Sequence, residues 1–127
     1  MLIDTDVLIW YMRGNKKALK TIESLDRFSI SVITYMELVQ GMRSKQELNI
    51  LRNTLKYWGT ELIYINEDIS TKAMFYVEQH YLSHSIQLAD ALICATAVIN
   101  GLPILTGNDK HYKAISNVII KKFKPDS

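Results

Sequence analysis

Cysteine, net charge and long apolar runs are all scarce in this sequence. Cys94 is the single cysteine, so no intramolecular disulfide can form and a reducing compartment is expected. The apolar run around it, from Ala91 to Ile99, is about half as long as a membrane-spanning helix. The opening segment also lacks a basic stretch followed by a longer apolar one. We therefore expect a soluble, cytoplasmic protein with no membrane contact.

The near-neutral charge gives no argument for a nucleic-acid partner from composition alone. Fifteen basic and thirteen acidic residues leave a formal net charge of +2, which is too small to indicate a polyanionic ligand. A chain of 127 residues with 48% hydrophobic content can bury one core. Since no repeat, low-complexity stretch or linker interrupts it, we expect a single domain over residues 1–127.

Segments of strand composition alternate along the chain with segments of helical apolar period. The predicted strands are residues 2–3, 28–30, 62–65, 103–105 and 118–120, and the predicted helices are 7–12, 16–25, 32–42, 48–55, 69–81 and 87–99. Asp6 is a candidate cap for the first helix. Because parallel strands need crossover connections, this alternation predicts a three-layer α/β/α domain with a mostly parallel central sheet.

Carboxylates follow several of the predicted strands. Asp4 closes the first strand, Glu37 lies early in the helix after the second, and Asp109 follows the strand that ends near Leu105. In open parallel sheets, ligands bind beyond the carboxyl ends of the strands. These acids are therefore candidate site residues.

Asp90 is the most informative acid, because its helix has no obvious solvated face. Its neighbours are apolar and no basic residue lies within one helical turn. An unpaired buried carboxylate costs several kcal/mol, so Asp90 needs a cation, a set of hydrogen-bond donors or a raised pKa; the cation is a metal ion or a distant Arg or Lys. Several acids in one cleft repel one another unless a divalent cation neutralises them, and oxygen-only ligation selects Mg²⁺ or Mn²⁺. Such a site is suited to phosphodiester hydrolysis.

Four segments together resemble a known family. They are MLIDTDVLI (1–9), SVITYMEL (31–38), LADALICATA (88–97) and LTGND (105–109). In this order and spacing, they make the chain similar to PIN-domain ribonucleases of the VapC type. The resemblance covers nearly the whole chain and implies a PIN-like fold. It also implies a metal-dependent endoribonuclease, the toxin of a toxin-antitoxin pair, which is usually dimeric and is inhibited by a small antitoxin protein.

The resemblance also implies which residues form the site. Asp4, Glu37 and Asp90 match the first three catalytic and metal-binding acids, and either Asn108 or Asp109 is the fourth. Asp6 departs from the Asn common at its position and is either an outer-sphere residue or a helix cap. Thr5 and Thr106 are possible supporting residues that would orient metal-bound water.

Structural explanations compete with these roles. Asp4 could cap a helix, and Glu37 could form a capping box with Thr34 if the helix begins at Thr34 rather than at Ser31. Asp90 could pair with a distant Arg, and Asp109 could be a solvated turn residue. The hydroxyls of Thr5 and Thr106 could merely bond to nearby backbone.

The remaining polar and aromatic residues support weaker expectations. His80, His84 and His111 show no ligand spacing and are assigned no chemistry. The basic residues flanking the predicted site, some of which we expect to meet RNA phosphates, are Lys16, Lys17, Lys20, Arg43, Lys45, Lys110 and Lys113. The large residues that pack in the core or form a partner surface are Trp10, Tyr11, Met12, Tyr57 and Trp58.

Two other functions compete with ribonuclease activity. Residues Ile3 to Asp6 resemble the start of haloacid-dehalogenase-type phosphatases, in which Asp4 would be a nucleophile. That family has Gly-Thr after the second Asp, where this chain has Val7-Leu8, and the comparison leaves Glu37 and Asp90 unexplained. The other alternative is a catalytically silent PIN-like module that binds RNA or protein.

Overall fold

Five short strands form one fully parallel sheet in the computed structural model, which describes residues 1–83, 86–115 and 117–126. The strands are β1 (Leu2–Ile3), β2 (Ser29–Ser31), β3 (Glu61–Ile63), β4 (Ile104–Thr106) and β5 (Ile120–Lys122). Their order is β3-β2-β1-β4-β5, and every pair is parallel. The parallel sheet expected from the alternating pattern is confirmed.

Six helices connect the strands. They are α1 (Thr5–Met12), α2 (Lys16–Glu23), α3 (Val32–Gln40), α4 (Lys45–Tyr57), α5 (Glu67–His80) and α6 (Leu88–Ile99). A side-chain oxygen caps the amino end of each of the first five, from Asp4, Asn15, Ser31, Ser44 and Asn66. Asp4 therefore caps α1, and the expectation that Asp6 does so is wrong because the helix begins two residues earlier than predicted.

The helices cover both faces of the sheet, as the strand periodicity requires. Leu2 belongs to a core cluster with residues of α5 and α6, whereas Ile3 belongs to a cluster with residues of α1 to α4. Ile104 and Leu105 divide between the two clusters in the same way. Because successive side chains of a strand point to opposite faces, β1 and β4 each contribute to both cores. The predicted three-layer α/β/α architecture is confirmed.

The sequence-based boundaries differ from the structure at helix ends and at the two edge strands, and α4 extends three residues earlier and two later than predicted. The last strand lies two residues later than expected, and β3 ends at Ile63 rather than at residue 65. A 3₁₀ turn at Asp109–His111 was not expected. Within the described ranges, no helix is long and apolar enough to cross a membrane.

The aromatic residues divide between packing and exposure. The ring centroid of Trp58 lies 4.7 Å from that of Tyr11 and 5.6 Å from that of Phe28, and both pairs are packed edge to face. Tyr57 instead is 86% exposed and Met12 is 42% exposed. Of the residues considered for a partner surface, these two are the ones that remain accessible.

Candidate active site

Asp4 lies where β1 ends and α1 begins, and three donors hold its carboxylate. Oδ1 accepts from the Thr5 backbone N–H at 2.8 Å. Oδ2 accepts from the Thr106 hydroxyl at 2.8 Å and from the Tyr112 hydroxyl at 2.8 Å. Asp4 is only 5% exposed. Asp4 therefore both caps α1 and lies at the candidate site, and groups from both ends of the chain fix the orientation of its carboxylate.

Glu37 lies inside α3 and connects to the Asp4 segment through Thr5. The helix is capped by Ser31, whose hydroxyl accepts from the Ile33 N–H at 3.0 Å. A capping box between Thr34 and Glu37 is thereby excluded, because Thr34 already lies within the helix. The Thr5 hydroxyl donates to Glu37 Oε1 at 2.7 Å and lies 3.0 Å from the Thr34 hydroxyl. Thr5 thus contributes a side chain to the site.

Asp90 lies in the first turn of α6 and is half-buried. Burial raises its pKa; nearby His111 opposes that shift, while the charges of Asp4 and Glu37 raise the pKa further. These influences require the three acids to lie close enough to feel one another. The structure therefore brings Asp4, Glu37 and Asp90 into one electrostatic environment.

The partner of Asp90 in this structure is a histidine. His111 Nδ1 lies 3.3 Å from Asp90 Oδ2, although the scattered histidines gave no reason to assign His111 any role. A histidine was not considered for this place from the sequence, and the 3₁₀ turn carries His111 to the start of α6. His84 lies outside the described residues.

Asp6 is part of the same edge but contacts the backbone of the loop after β4. Its Oδ2 accepts from the Gly107 N–H at 2.8 Å, and Oδ1 lies 3.5 Å from the Thr106 hydroxyl. Burial, followed by the charge of Asp4, raises the pKa of Asp6 to about 6. This geometry favours the outer supporting role, because Asp6 anchors the loop that directly follows Thr106.

The two candidates for the fourth position have different surroundings. Asn108 is exposed, and its backbone N–H donates to the Thr106 hydroxyl at 3.0 Å. Asp109 forms ion pairs with Lys113 at 3.7 Å and Lys122 at 3.8 Å. The structure thus places Asp109 beside two cations, whereas Asp4, Glu37 and Asp90 lie among carboxylates.

The acids fit a divalent cation by their donor chemistry. Mg²⁺ and Mn²⁺ prefer oxygen ligands, and a cation bound beside Asp90 would offset the repulsion that Asp4 and Glu37 exert on its carboxylate. Across the described ranges, no three His, Cys, Asp or Glu side chains form a ready-made metal site. The assignment of a divalent cation therefore rests on the oxygen ligands that these acids offer and on the repulsion that Asp90 experiences, since the described acids are not arranged as a preformed metal site.

Sequence reasoning missed three contributors to the site. Tyr112 and His111 contact acids far away in the sequence, and Gly107 offers its N–H to Asp6. None of them has a spacing signal. A Cβ on Gly107 would lie 2.7 Å from Asp6 Oδ2, so the close approach explains why glycine suits this position.

Comparison with known protein families gives a match over most of the chain. A family model described as the PIN domain matches residues 1–117. The chain belongs to the PIN-domain family. This PIN domain is 30% identical over 125 residues to ribonuclease VapC1 of Methanocaldococcus jannaschii, a match that covers 95% of this chain and 85% of that protein.

Solved structures with the same fold come from toxin-antitoxin complexes. The PIN domain resembles a chain of a toxin-antitoxin complex from Klebsiella pneumoniae with a TM-score of 0.75 and 27% identity, covering 96% of this chain and 98% of that one. It also resembles a chain of VapBC2 from Rickettsia felis, bound to a promoter DNA fragment, with a TM-score of 0.82, 22% identity and coverage of 97% and 98%. The second likeness supports the fold.

Proposed function

We propose that this PIN domain is a metal-dependent endoribonuclease and the toxin of a toxin-antitoxin pair. The observation that carries the proposal is the joint position of three acids at the carboxyl ends of parallel strands: Thr5 hydrogen-bonds to both Asp4 and Glu37, and the charges of these two raise the pKa of Asp90. A relative with 30% identity is named a ribonuclease, which supports RNA as the substrate.

Asp4, Glu37 and Asp90 would hold Mg²⁺ or Mn²⁺. When bound, such an ion would polarise a phosphoryl oxygen and lower the pKa of a water molecule, so that hydrolysis proceeds near neutral pH. Thr106, Tyr112 and the Thr5 N–H keep the Asp4 carboxylate in one orientation.

The other polar groups support these three acids. The Thr5 hydroxyl orients Glu37, and Asp6 fixes the start of the loop that follows Thr106. For the fourth position we favour Asn108, because Asp109 is already engaged by two lysines.

The phosphatase alternative has less support. Its nucleophile would be Asp4, but Val7-Leu8 follows the second Asp where that family has Gly-Thr. It also gives no reason for Glu37 and Asp90 to share the site. Turnover of a generic phosphomonoester that is lost in Asp4→Asn would restore this alternative.

Cleavage of total cellular RNA by the purified protein tests the proposal. Fragments should appear with Mn²⁺ or Mg²⁺, disappear with EDTA, and be absent for Asp4→Asn and Asp90→Asn. Asp26→Asn, at an exposed acid in the turn after α2, is the matched control and should cleave normally. End-labelling should reveal 5′-phosphates and 3′-hydroxyls, and 2′,3′-cyclic phosphate would contradict metal-assisted attack by water. Folded protein that cleaves nothing would favour the silent binding module.

We also propose an antitoxin as partner, since the related structures are toxin-antitoxin complexes. A cleft of about 600 Å³ reaches Glu37 and has apolar walls that include Ile9, Met12, Met42 and Ile50. A peptide in this cleft would cover Glu37. Co-expression with the antitoxin should suppress RNA cleavage, and Ile50→Asp should restore cleavage without impairing the free toxin. Continued suppression of Ile50→Asp would place the antitoxin elsewhere.

A homodimer is the second assembly we propose. An apolar groove between α5 and α6 leaves Met74 61% and Leu88 70% exposed, and burying such a patch favours self-association. Light scattering after size exclusion should give twice the mass of the chain, and Met74→Lys should give a monomer. A monomeric wild type at high concentration would disprove the dimer.

A further inference from the structure

Asp109 uses both of its carboxylate oxygens to pair with lysines. Oδ2 lies 3.7 Å from Lys113 Nζ, and Oδ1 lies 3.8 Å from Lys122 Nζ. The side chain of Asp109 is 20% exposed, while those of Lys113 and Lys122 are 69% and 64% exposed. One carboxylate thus holds two accessible ammonium groups, and the three side chains carry a net charge of +1.

This cluster, Asp109 with Lys113 and Lys122, lies next to the acids of the active site. Lys122 is paired in register with Thr106 across β4 and β5, and the Thr106 hydroxyl donates to Asp4. On the other side, Lys110 and His111 line a cavity of about 180 Å³ that also includes Asp90. Positive groups therefore flank the acids at the same edge of the sheet.

A polyanion needs such groups in order to approach this site. Asp4, Glu37 and Asp90 repel phosphates, so binding of a nucleic-acid backbone requires cations beside the acids. Exposed ion pairs contribute little to folding stability, and separations near 3.8 Å leave the ammonium donors available to another oxygen. By restricting two long side chains, Asp109 would reduce the entropy lost when they bind phosphate.

We propose that Lys113 and Lys122 bind the phosphate backbone of RNA beside the bond that is cut. Asp109 is then a positioning residue for these lysines and not a metal ligand. The inference rests on the proposed ribonuclease function and deepens it, because it identifies where the chain of the substrate lies on the protein.

Fluorescence anisotropy with a single-stranded RNA oligonucleotide in EDTA tests the lysines without cleavage. Lys113→Gln and Lys122→Gln should each weaken binding several-fold and reduce the slope of log K against log salt by about 0.7. Lys56→Gln is the matched control. Lys56 is exposed near the end of α4, the helix that leads into β3. Since β3 and β5 are the two edge strands, Lys56 is far from Lys122 on β5. Its variant should bind RNA like the wild type.

Two measurements test the role of Asp109: the affinity for manganese, and the effect of Lys113→Gln on RNA binding with and without Asp109. Manganese titration followed by EPR should give the same affinity for Asp109→Asn as for the wild type, whereas Asp90→Asn should bind at least tenfold more weakly. Lys113→Gln should reduce the salt slope less in an Asp109→Asn background than in the wild type. Equal reductions in both backgrounds, or weakened metal binding by Asp109→Asn, would overturn the positioning role.

The outcomes separate this inference from the proposed function. If the wild type binds RNA and both glutamine variants bind it equally well, the lysine site is wrong and the ribonuclease proposal stands. If the wild type neither binds nor cleaves RNA, both proposals fail.

Discussion

Removal of one hydroxyl group, in Tyr112→Phe, tests how the Asp4 carboxylate is held. The Tyr112 ring is fully buried, and its hydroxyl donates to Asp4 Oδ2 at 2.8 Å. The substitution keeps the ring in the core and deletes only this donor. Because a hydrogen bond to a charged group contributes about 1.5–3 kcal/mol, the free energy of unfolding should fall by that amount. Thr106 and Thr5 still donate to Asp4, so we expect the lower half of the range.

Urea unfolding followed by circular dichroism in EDTA measures this loss. For a domain of this size, the melting temperature should also fall, by roughly 3–5 °C for each kcal/mol. The chain offers a matched control in Tyr76, which is also buried but whose hydroxyl has no hydrogen-bond partner among the described residues. Tyr76→Phe removes an unsatisfied polar atom and should leave stability unchanged or raise it.

The comparison between the two tyrosines decides the matter. If Tyr112→Phe costs no more stability than Tyr76→Phe, the hydroxyl of Tyr112 does not hold Asp4, and the three-donor description of that carboxylate is wrong.

Three further predictions concern the acids around Asp4. In EDTA, Asp90→Asn should melt at a higher temperature than the wild type, because the repulsion between Asp90 and the neighbouring carboxylates is removed. Mn²⁺ should raise the melting temperature of the wild type more than that of the variant. A strongly destabilised variant would instead indicate that Asp90 has a structural role. Asp6 has a pKa of about 6 in the fold against 3.8 as its ordinary value, so the folded state binds more protons between these values and unfolding free energy falls as pH rises through them. Urea titrations of Asp6→Asn from about pH 4 to about pH 7 should show a shallower fall, and an unchanged slope would contradict the assignment. Gly107→Ala should cost about 1–3 kcal/mol by displacing Asp6 from the Gly107 N–H, and less in an Asp6→Ala background, which thermal melts of the four proteins will reveal.

Local patterns were sufficient for the parts of the fold that depend on periodicity. The start of α3 at Ser31 follows from the apolar residues Val32 and Ile33, and it places Glu37 inside the helix as expected. The alternation of strands and helices was sufficient to predict a parallel sheet with Asp4 at its carboxyl edge.

Contacts between distant segments had no such signal. His111 reaches Asp90 because of a 3₁₀ turn, which no periodic pattern in the sequence predicts. Tyr112 hydrogen-bonds to Asp4, which lies 108 positions earlier in the chain. The position of β5 was missed for a different reason. It is an edge strand that ends in Lys121-Lys122. Lysines are common on edge strands because they discourage pairing with other chains. The prediction placed the strand at residues 118–120 instead, because these are more apolar.

The strand order has a consequence for protein synthesis. β1 is made first, yet it lies at the centre of the sheet with β4 as a neighbour. Two of the three donors to Asp4, from Thr106 and Tyr112, come from the last quarter of the chain. A nascent chain that carries Asp4 and Glu37 therefore lacks the groups that orient Asp4 until β4 has left the ribosome and inserted beside β1. An incomplete chain would be inactive next to the ribosomal and messenger RNA that surround it.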